Sequence, residues 1–139
     1  MNKLTMDELS TLQYKDIAEN VYTVEELSPD VIEIAVSVCR RKFKKKDILL
    51  MVINDDDQEG YAGFVFTPES IISWTGEGCK ANVIPYESIQ DVDYEGENVI
   101  VTGTDSAVKL WCGDDDDDEW NYTKKMYNFV CDILEMLEE

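Results

Sequence analysis

The 139-residue chain contains no histidine. Histidine is the commonest general base at neutral pH, the usual partner of Ser and Cys nucleophiles, and a frequent metal ligand. The chain also has no phosphate-binding P-loop, no G-x-S-x-G motif and no dinucleotide-binding glycine pattern. We therefore expect a protein that is not an enzyme, with no catalytic residues and no cofactor.

Closely spaced cysteines and long apolar runs are also missing. The four cysteines, Cys39, Cys79, Cys112 and Cys131, form no C-x-x-C pair, so no zinc site is predicted and free thiols are expected. No apolar run approaches the roughly 18 residues of a membrane span, and the first residues lack the apolar core of a signal peptide. The sequence thus predicts a cytoplasmic protein without a membrane partner.

Basic residues are scarce, at 12 against 31 acidic residues, and the formal net charge is -19. A field of this sign repels nucleic acid and attracts basic proteins, so we expect a protein partner and no nucleic acid. The charge also has a simpler interpretation, which is solubility. Half of the cations form one basic run: Arg40, Arg41, Lys42, Lys44, Lys45 and Lys46.

Residues 1–46 are predicted to form an N-terminal extension of two helices. Thr5 and Glu8 have the spacing of a capping box, which predicts a helix from there to about residue 20. Ser28 and Pro29 mark a second helix start. Residues 31–38 fit a strand by alternation and a helix by their apolar stripe. The start signal and the basic run, which suits a helix C-terminus, favour the helix.

From residue 47 onward the pattern becomes that of short strands. Thr67-Pro68-Glu69-Ser70 is a compact turn between two of them, so residues 63–89 are expected to set the curvature of a sheet. The spacing predicts a meandering antiparallel sheet bent into a sandwich or small barrel. Seven strands are predicted, near residues 48–53, 61–66, 70–75, 79–84, 91–94, 98–102 and 108–112. The packing residues expected in the hairpin and beyond it are Phe64, Phe66, Trp74 and Ile89.

The chain is predicted to end in an amphipathic helix. A wide apolar stripe of this kind should pack against the open end of the sheet. The fold class expected is therefore α+β. The stripe consists of Trp120, Tyr127, Val130, Cys131, Leu134 and Leu137, flanked by Met126, Phe129 and Ile133.

Seven strands followed by one C-terminal helix resemble the element order of bacterial pleckstrin-homology-like (PH-like) domains. The matching motifs are the strand at residues 63–67 and the step Ile84-Pro85-Tyr86 with Ile89. Over roughly residues 47–137, the resemblance implies a seven-stranded, curved and partly open barrel capped by the last helix. We accordingly expect residues 47–139 to form a PH-like domain that serves as a non-catalytic protein-interaction or regulatory module.

The resemblance does not extend to lipid binding. PH domains that hold phosphoinositides do so with cations around the loop between the first two strands. The corresponding loop, residues 54–60, contains four carboxylates and no cation. It would repel a phosphorylated headgroup, so phosphoinositide binding is not expected.

Two charged runs are the predicted partner-binding residues. One is the basic run, and the other is the acidic run Asp114, Asp115, Asp116, Asp117 and Asp118. One interpretation of the acidic run is structural, since carboxylates before a helix interact favourably with its dipole. The other is that the run mimics phosphate for a basic partner. An alternative function is therefore an acidic inhibitor, such as an immunity protein or nucleic-acid mimic, that neutralises a basic toxin or nuclease.

Residues 55–60 resemble the opening of an EF-hand calcium loop. Position twelve of such a loop should supply a bidentate Glu, but it is Phe66 here. No metal site is predicted, and weak calcium association is left open.

Overall fold

The computed structural model describes residues 3–12, 14, 17–18, 20–54, 59–75, 81–112 and 122–137. Within them the helices are α1 (Met6–Leu9), α2 (Pro29–Val38) and α3 (Tyr122–Leu137). The strands are β1 (Val21–Tyr22), β2 (Leu50–Ile53), β3 (Gly63–Phe66), β4 (Ser70–Trp74), β5 (Asn82–Pro85), β6 (Ile89–Glu95), β7 (Asn98–Gly103) and β8 (Ala107–Trp111). The fold is α+β, with antiparallel sheets ordered β1-β2-β3-β4-β5 and β6-β7-β8 that do not form a closed barrel.

The first helix is shorter than the sequence predicts. Thr5 caps it, since Thr5 Oγ1 accepts a hydrogen bond from the Glu8 N–H at 3.2 Å and Glu8 Oε1 accepts one from the Thr5 N–H. The helix ends at Leu9, where the Ser10 hydroxyl donates to the Asp7 carbonyl at 2.7 Å. Side-chain hydrogen bonds of this kind compete with helical ones. The expected continuation to about residue 20 is not observed among the described residues.

The N-terminal segment shares its core with the strands of the predicted barrel. Leu4, Leu9 and Ile17 are buried in the same cluster as Phe66. The Leu4 N–H donates to the Pro68 carbonyl at 2.8 Å, and β1 pairs with β2. This segment thus adds a strand and an apolar cover to the five-stranded sheet.

The segment with two interpretations, residues 31–38, is helical. Ser28 Oγ accepts a hydrogen bond from the Val31 N–H at 3.3 Å, and Pro29 is the first helical residue. Ile32 and Ala35 point into the protein. The strand interpretation fails because this inward face has the spacing of a helix.

The basic run follows directly after the C-terminus of α2, and none of its cations lies in the last turn of the helix. The helix ends at Val38 with Cys39 as its C-cap. Phe43 is buried and packs on Trp74 with ring centroids 5.8 Å apart. Because this ring is buried against the sheet, the chain after α2 leaves the helix axis and returns to the sheet.

Each of the seven predicted strand segments contains a strand, β2 to β8, with ends shifted by a few residues. The number of strands among the described residues differs from the expectation, because β1 adds an eighth strand, and the strands divide into two sheets. Residues 76–80, which include the beginning of the fourth predicted strand, lie outside the described residues.

The five-stranded sheet is buried on both faces. Alternate residues of a strand face opposite sides, so a strand covered on both sides must be apolar throughout. The face toward α2 carries Met51, Ile53, Val65, Ile72 and Trp74. The other face, in the main core, carries Leu50, Val52, Phe64, Phe66 and Ile71.

Helix α3 closes the main core beneath the three-stranded sheet. Phe129 meets Phe66 edge-on, with ring centroids 5.5 Å apart. The buried side chains of α3 are Thr123, Met126, Phe129, Val130, Ile133 and Leu137. The wide predicted stripe is therefore confirmed, with its centre at the flanking residues Met126, Phe129 and Ile133, whereas Tyr127, Cys131 and Leu134 lie half-buried at the border. Trp120 lies outside the described residues.

The step from Ile84 to Ile89 joins the two sheets. Pro85 ends β5, a short 3-10 turn (Tyr86–Ser88) follows, and β6 begins at Ile89. Tyr86 is only 2% exposed, whereas Ile89 is partly buried. Tyr86 fills the core here, and Ile89 packs against the same core from its border.

Candidate functional site

The basic run begins with two arginines in the left-handed region of backbone conformation. The φ angles are 52° at Arg40 and 62° at Arg41. The Arg40 N–H donates to the Ser37 carbonyl at 3.0 Å and the Arg41 N–H to the Val36 carbonyl at 2.9 Å. This is a Schellman motif, in which the first left-handed position is usually glycine. It turns the chain sharply, so that neighbouring cations point to different surfaces.

The fold divides the basic run between two surfaces. A cavity of about 370 Å³ beside α2 is lined in part by Arg41, Lys44 and Lys45. Lys42 lines a separate cavity of about 250 Å³, together with Lys3. All six cations have exposed side chains, and no described carboxylate lies within ion-pair distance of them. The structure thus brings three of the six together.

The other predicted binding residues, Asp114 to Asp118, lie outside the described residues. Their role in binding a partner therefore stays a prediction. Asp55 to Asp57, in the loop at residues 54–60, and Cys79 also lie outside the described residues.

A surface that the sequence did not single out lies where β6 meets α3. Strand β6 is at the edge of its sheet, and β7 is the one described strand that pairs with it. The register sets Val92 opposite Val101 and Tyr94 opposite Val99, and both partners are buried. Val92 and Tyr94 therefore face the core side. By alternation, Asp91, Asp93 and Glu95 occupy the opposite face.

A pair of aromatic rings, one exposed and one half-buried, borders this edge. Tyr94 is 48% exposed, and its ring meets that of Tyr127 on α3 edge-on at 5.2 Å. The adjacent Cys131 sulfur is the largest cause of a raised pKa at the Tyr127 hydroxyl, followed by burial, and Asp93 and Asp91 also contribute. The two rings thus form an apolar patch beside carboxylates and an open strand edge. In the sequence, the alternation of acids in D-V-D-Y-E is the signal that could have indicated it.

Two of the described cysteines, Cys39 and Cys112, are buried and poorly suited to nucleophilic chemistry. Burial raises the pKa of the Cys39 thiol to about 12 and that of the Cys112 thiol to about 12. The pKa of Cys131 is also raised, mainly by burial. A thiol must lose its proton to act as a nucleophile or a metal ligand, so the raised pKa disfavours such roles for Cys39 and Cys112 at neutral pH.

Within the described ranges, no group of three or more Cys, Asp or Glu side chains is placed to hold a metal ion. No helix in the same part of the chain is long and apolar enough to cross a bilayer.

Comparison of the chain with known protein families, with curated proteins and with solved structures finds no match. Function is therefore inferred from the geometry and chemistry of the surfaces described above.

Proposed function

We propose that this protein is a non-catalytic interaction module of PH-like architecture that binds another protein. Strands β2 to β8 followed by α3 agree in order with the seven strands and final helix of that architecture. Helix α2 and strand β1 are additions that cover the outer face and one edge of the first sheet. A fold of this kind supports many functions, so the proposal depends on the surface at β6.

The open edge of β6 is the observation that carries the proposal. An edge strand presents backbone N–H and C=O groups to which an extended peptide can add as a further strand. The rings of Tyr94 and Tyr127 beside it offer an apolar anchor of the type enriched at protein interfaces. The carboxylates of Asp91 and Asp93 favour Lys or Arg on the incoming strand. The partner is therefore an extended segment with basic residues at alternate positions.

Affinity capture from cell extract, at 0.15 and 0.5 M salt, tests this proposal. Wild-type protein is expected to retain a partner at both salt concentrations, because the contact is largely apolar and backbone-mediated. Tyr94→Asp should lose that partner, since it removes a ring and adds a fourth carboxylate. Ser106→Asp makes the same charge change on an exposed turn and should retain it. Equal retention by both variants would refute the assignment to β6.

The charge of -19 supports a second candidate, an acidic inhibitor of a basic toxin or nuclease. Binding would then weaken steeply as salt rises, because the attraction acts over distances that salt screens. Replacing the acidic run Asp114 to Asp118 by Asn should lower the affinity several-fold. Retention that is equal at 0.15 and 0.5 M salt would count against this candidate.

A further inference from the structure

A groove of about 680 Å³ runs along the exposed flank of α2. Its apolar lining on the helix is Val31, Ile34 and Val38, which are half-buried and recur at helical spacing. Tyr61 lines the groove as well and is 46% exposed. These side chains present an apolar stripe about 10 Å long, which corresponds to two turns of a helix laid beside α2. We refer to this feature as the α2 groove.

The side of the α2 groove formed by residues 59–61 is held in place before any partner arrives. Trp74 Nε1–H, in the buried layer beneath, donates to the Gly60 carbonyl at 2.9 Å. A Cβ atom at Gly60 would lie 2.8 Å from the Val31 carbonyl oxygen, so the backbone of this segment rests directly on α2. A preformed groove binds with less loss of conformational entropy than one that must form on binding.

The chemistry of the α2 groove selects the occupant. Its described lining comes from α2 and residues 59–61, and none of it belongs to a strand. An extended peptide would therefore find no strand edge for its backbone, whereas a helix satisfies its own backbone hydrogen bonds. Asp30 and Glu33 on the rim are exposed carboxylates, which favour cations beside the apolar face of the occupant.

We infer that the α2 groove is a second protein-binding site, which takes a basic amphipathic helix of a partner protein. This site is separate from the β6 edge and requires a different backbone conformation in its ligand. The neighbouring cavity beside α2, lined by Arg41, Lys44 and Lys45, shares Glu33 and Ser37 with the groove but has cations along its other side. These cations repel a basic helix and so restrict it to the groove on the other side of α2.

Binding of a designed peptide tests the inference. The probe is a fluorescent peptide of about 18 Leu and Lys residues, arranged so that the leucines form one face of a helix. Its control is a scrambled peptide of the same composition with no apolar face. We expect fluorescence anisotropy at 0.15 M salt to show tighter binding of the amphipathic peptide. Circular dichroism should show additional helix in the mixture. Equal affinity of the two peptides would overturn the inference, because it would show that binding depends only on a general attraction between opposite charges.

Variants locate the site. Tyr61→Ala should weaken binding about tenfold by removing an aromatic anchor. Glu33→Lys should weaken it about fivefold, whereas Glu87→Lys, with the same change in net charge on a distant exposed turn, should change it less than about twofold. Asp93→Lys on β6 should behave like Glu87→Lys, which separates this site from the β6 edge. Thermal unfolding confirms that each variant is folded. Equal losses for Glu33→Lys and Glu87→Lys would contradict the assignment.

Discussion

The turn at residues 67–70 joins Tyr86 and the N-terminal segment, which are distant in sequence. The Tyr86 hydroxyl donates to the Thr67 carbonyl at 2.8 Å, and the Tyr86 N–H donates to the Glu69 carbonyl at 3.0 Å. The Leu4 N–H binds the Pro68 carbonyl of the same turn. The joint between the two sheets and the N-terminal segment therefore meet at one four-residue turn.

Loss of the Tyr86 hydroxyl should be costly because the Thr67 carbonyl would lose a buried partner. We expect Tyr86→Phe to lower the free energy of unfolding by about 1–2 kcal/mol, measured by urea denaturation. Tyr61→Phe removes a hydroxyl from an exposed ring and should change stability by less than about 0.5 kcal/mol. Equal stability of the two variants would show that the hydrogen bond does not hold the joint.

The buried thiols make stability fall at alkaline pH. Cys39 and Cys112 have an ordinary pKa of 9.0 when unfolded and a pKa of about 12 in the fold. Between these values the unfolded chain has released protons that the folded chain retains, so raising the pH favours unfolding. Each thiol should contribute a loss of up to about 1.4 kcal/mol per pH unit above pH 9.

Urea unfolding at pH 8 and pH 10.5, under reducing conditions, measures this effect. The double variant Cys39→Ala, Cys112→Ala should be less stable at pH 8 because it leaves small cavities. Its stability should nevertheless decline less between the two pH values than that of the wild type. An identical decline in both proteins would show that other groups control the alkaline transition.

At the scale of single elements, the end of α2 carries backbone strain. Arg40 occupies the left-handed position that glycine adopts at lower cost. We expect Arg40→Gly to raise the free energy of unfolding by about 0.5–1 kcal/mol, although it removes a side chain. Lys42 is not among the described residues of positive φ, so Lys42→Gly should lower stability. Chemical denaturation of both variants checks the difference in sign.

Strand β3 requires a glycine at its first residue. A Cβ atom at Gly63 would lie 2.1 Å from the Val52 carbonyl oxygen of β2, within the backbone of a paired strand that cannot move independently. Gly63→Ala should lower the free energy of unfolding by about 3 kcal/mol or more. Gly96, in the turn between β6 and β7, has φ 61° and open space around its Cα. Gly96→Ala should cost only about 1 kcal/mol. Thermal unfolding compares the two, and a similar cost would contradict the close packing at Gly63.

Element types could be predicted where local signals agree with the tertiary structure. Ser28 and Pro29 indicated the start of α2, and alternation and turn residues indicated the strands from β2 onward. The length of α1 could not be predicted, because the hydroxyl of Ser10 competes with helical hydrogen bonds at its end. Strand β1 has two residues and exists through its pairing with β2, a contact that no local pattern encodes.

The candidate sites were less predictable than the fold. Charge composition identified the basic run, but its division between two surfaces depends on the left-handed turn at Arg40 and Arg41. The contact between Tyr94 and Tyr127 joins a strand to the last helix. In the sequence, neither tyrosine differs from the other residues of its strand or helix in a way that indicates this contact. The α2 groove depends on the Trp74 hydrogen bond to Gly60, which arises from packing between distant segments.

At the scale of the whole molecule, charge and shape have different roles in the proposed binding. The net charge of -19 should speed the approach of any basic protein and make association sensitive to salt. Specificity would come from short-range contacts at the β6 edge and the α2 groove, each of which combines exposed tyrosine with nearby carboxylates. Salt should therefore change association rates more than dissociation rates.

The most direct test of the central claim is photo-crosslinking at the β6 edge inside the cell. A photoreactive phenylalanine derivative placed at position 94 should become covalently linked to a partner protein on irradiation. The same group at position 105, on an exposed turn of the three-stranded sheet, should give no such product. A product at position 94 alone would agree with a peptide bound along β6. Absence of a product at position 94, or equal products at both positions, would contradict the proposed interaction module.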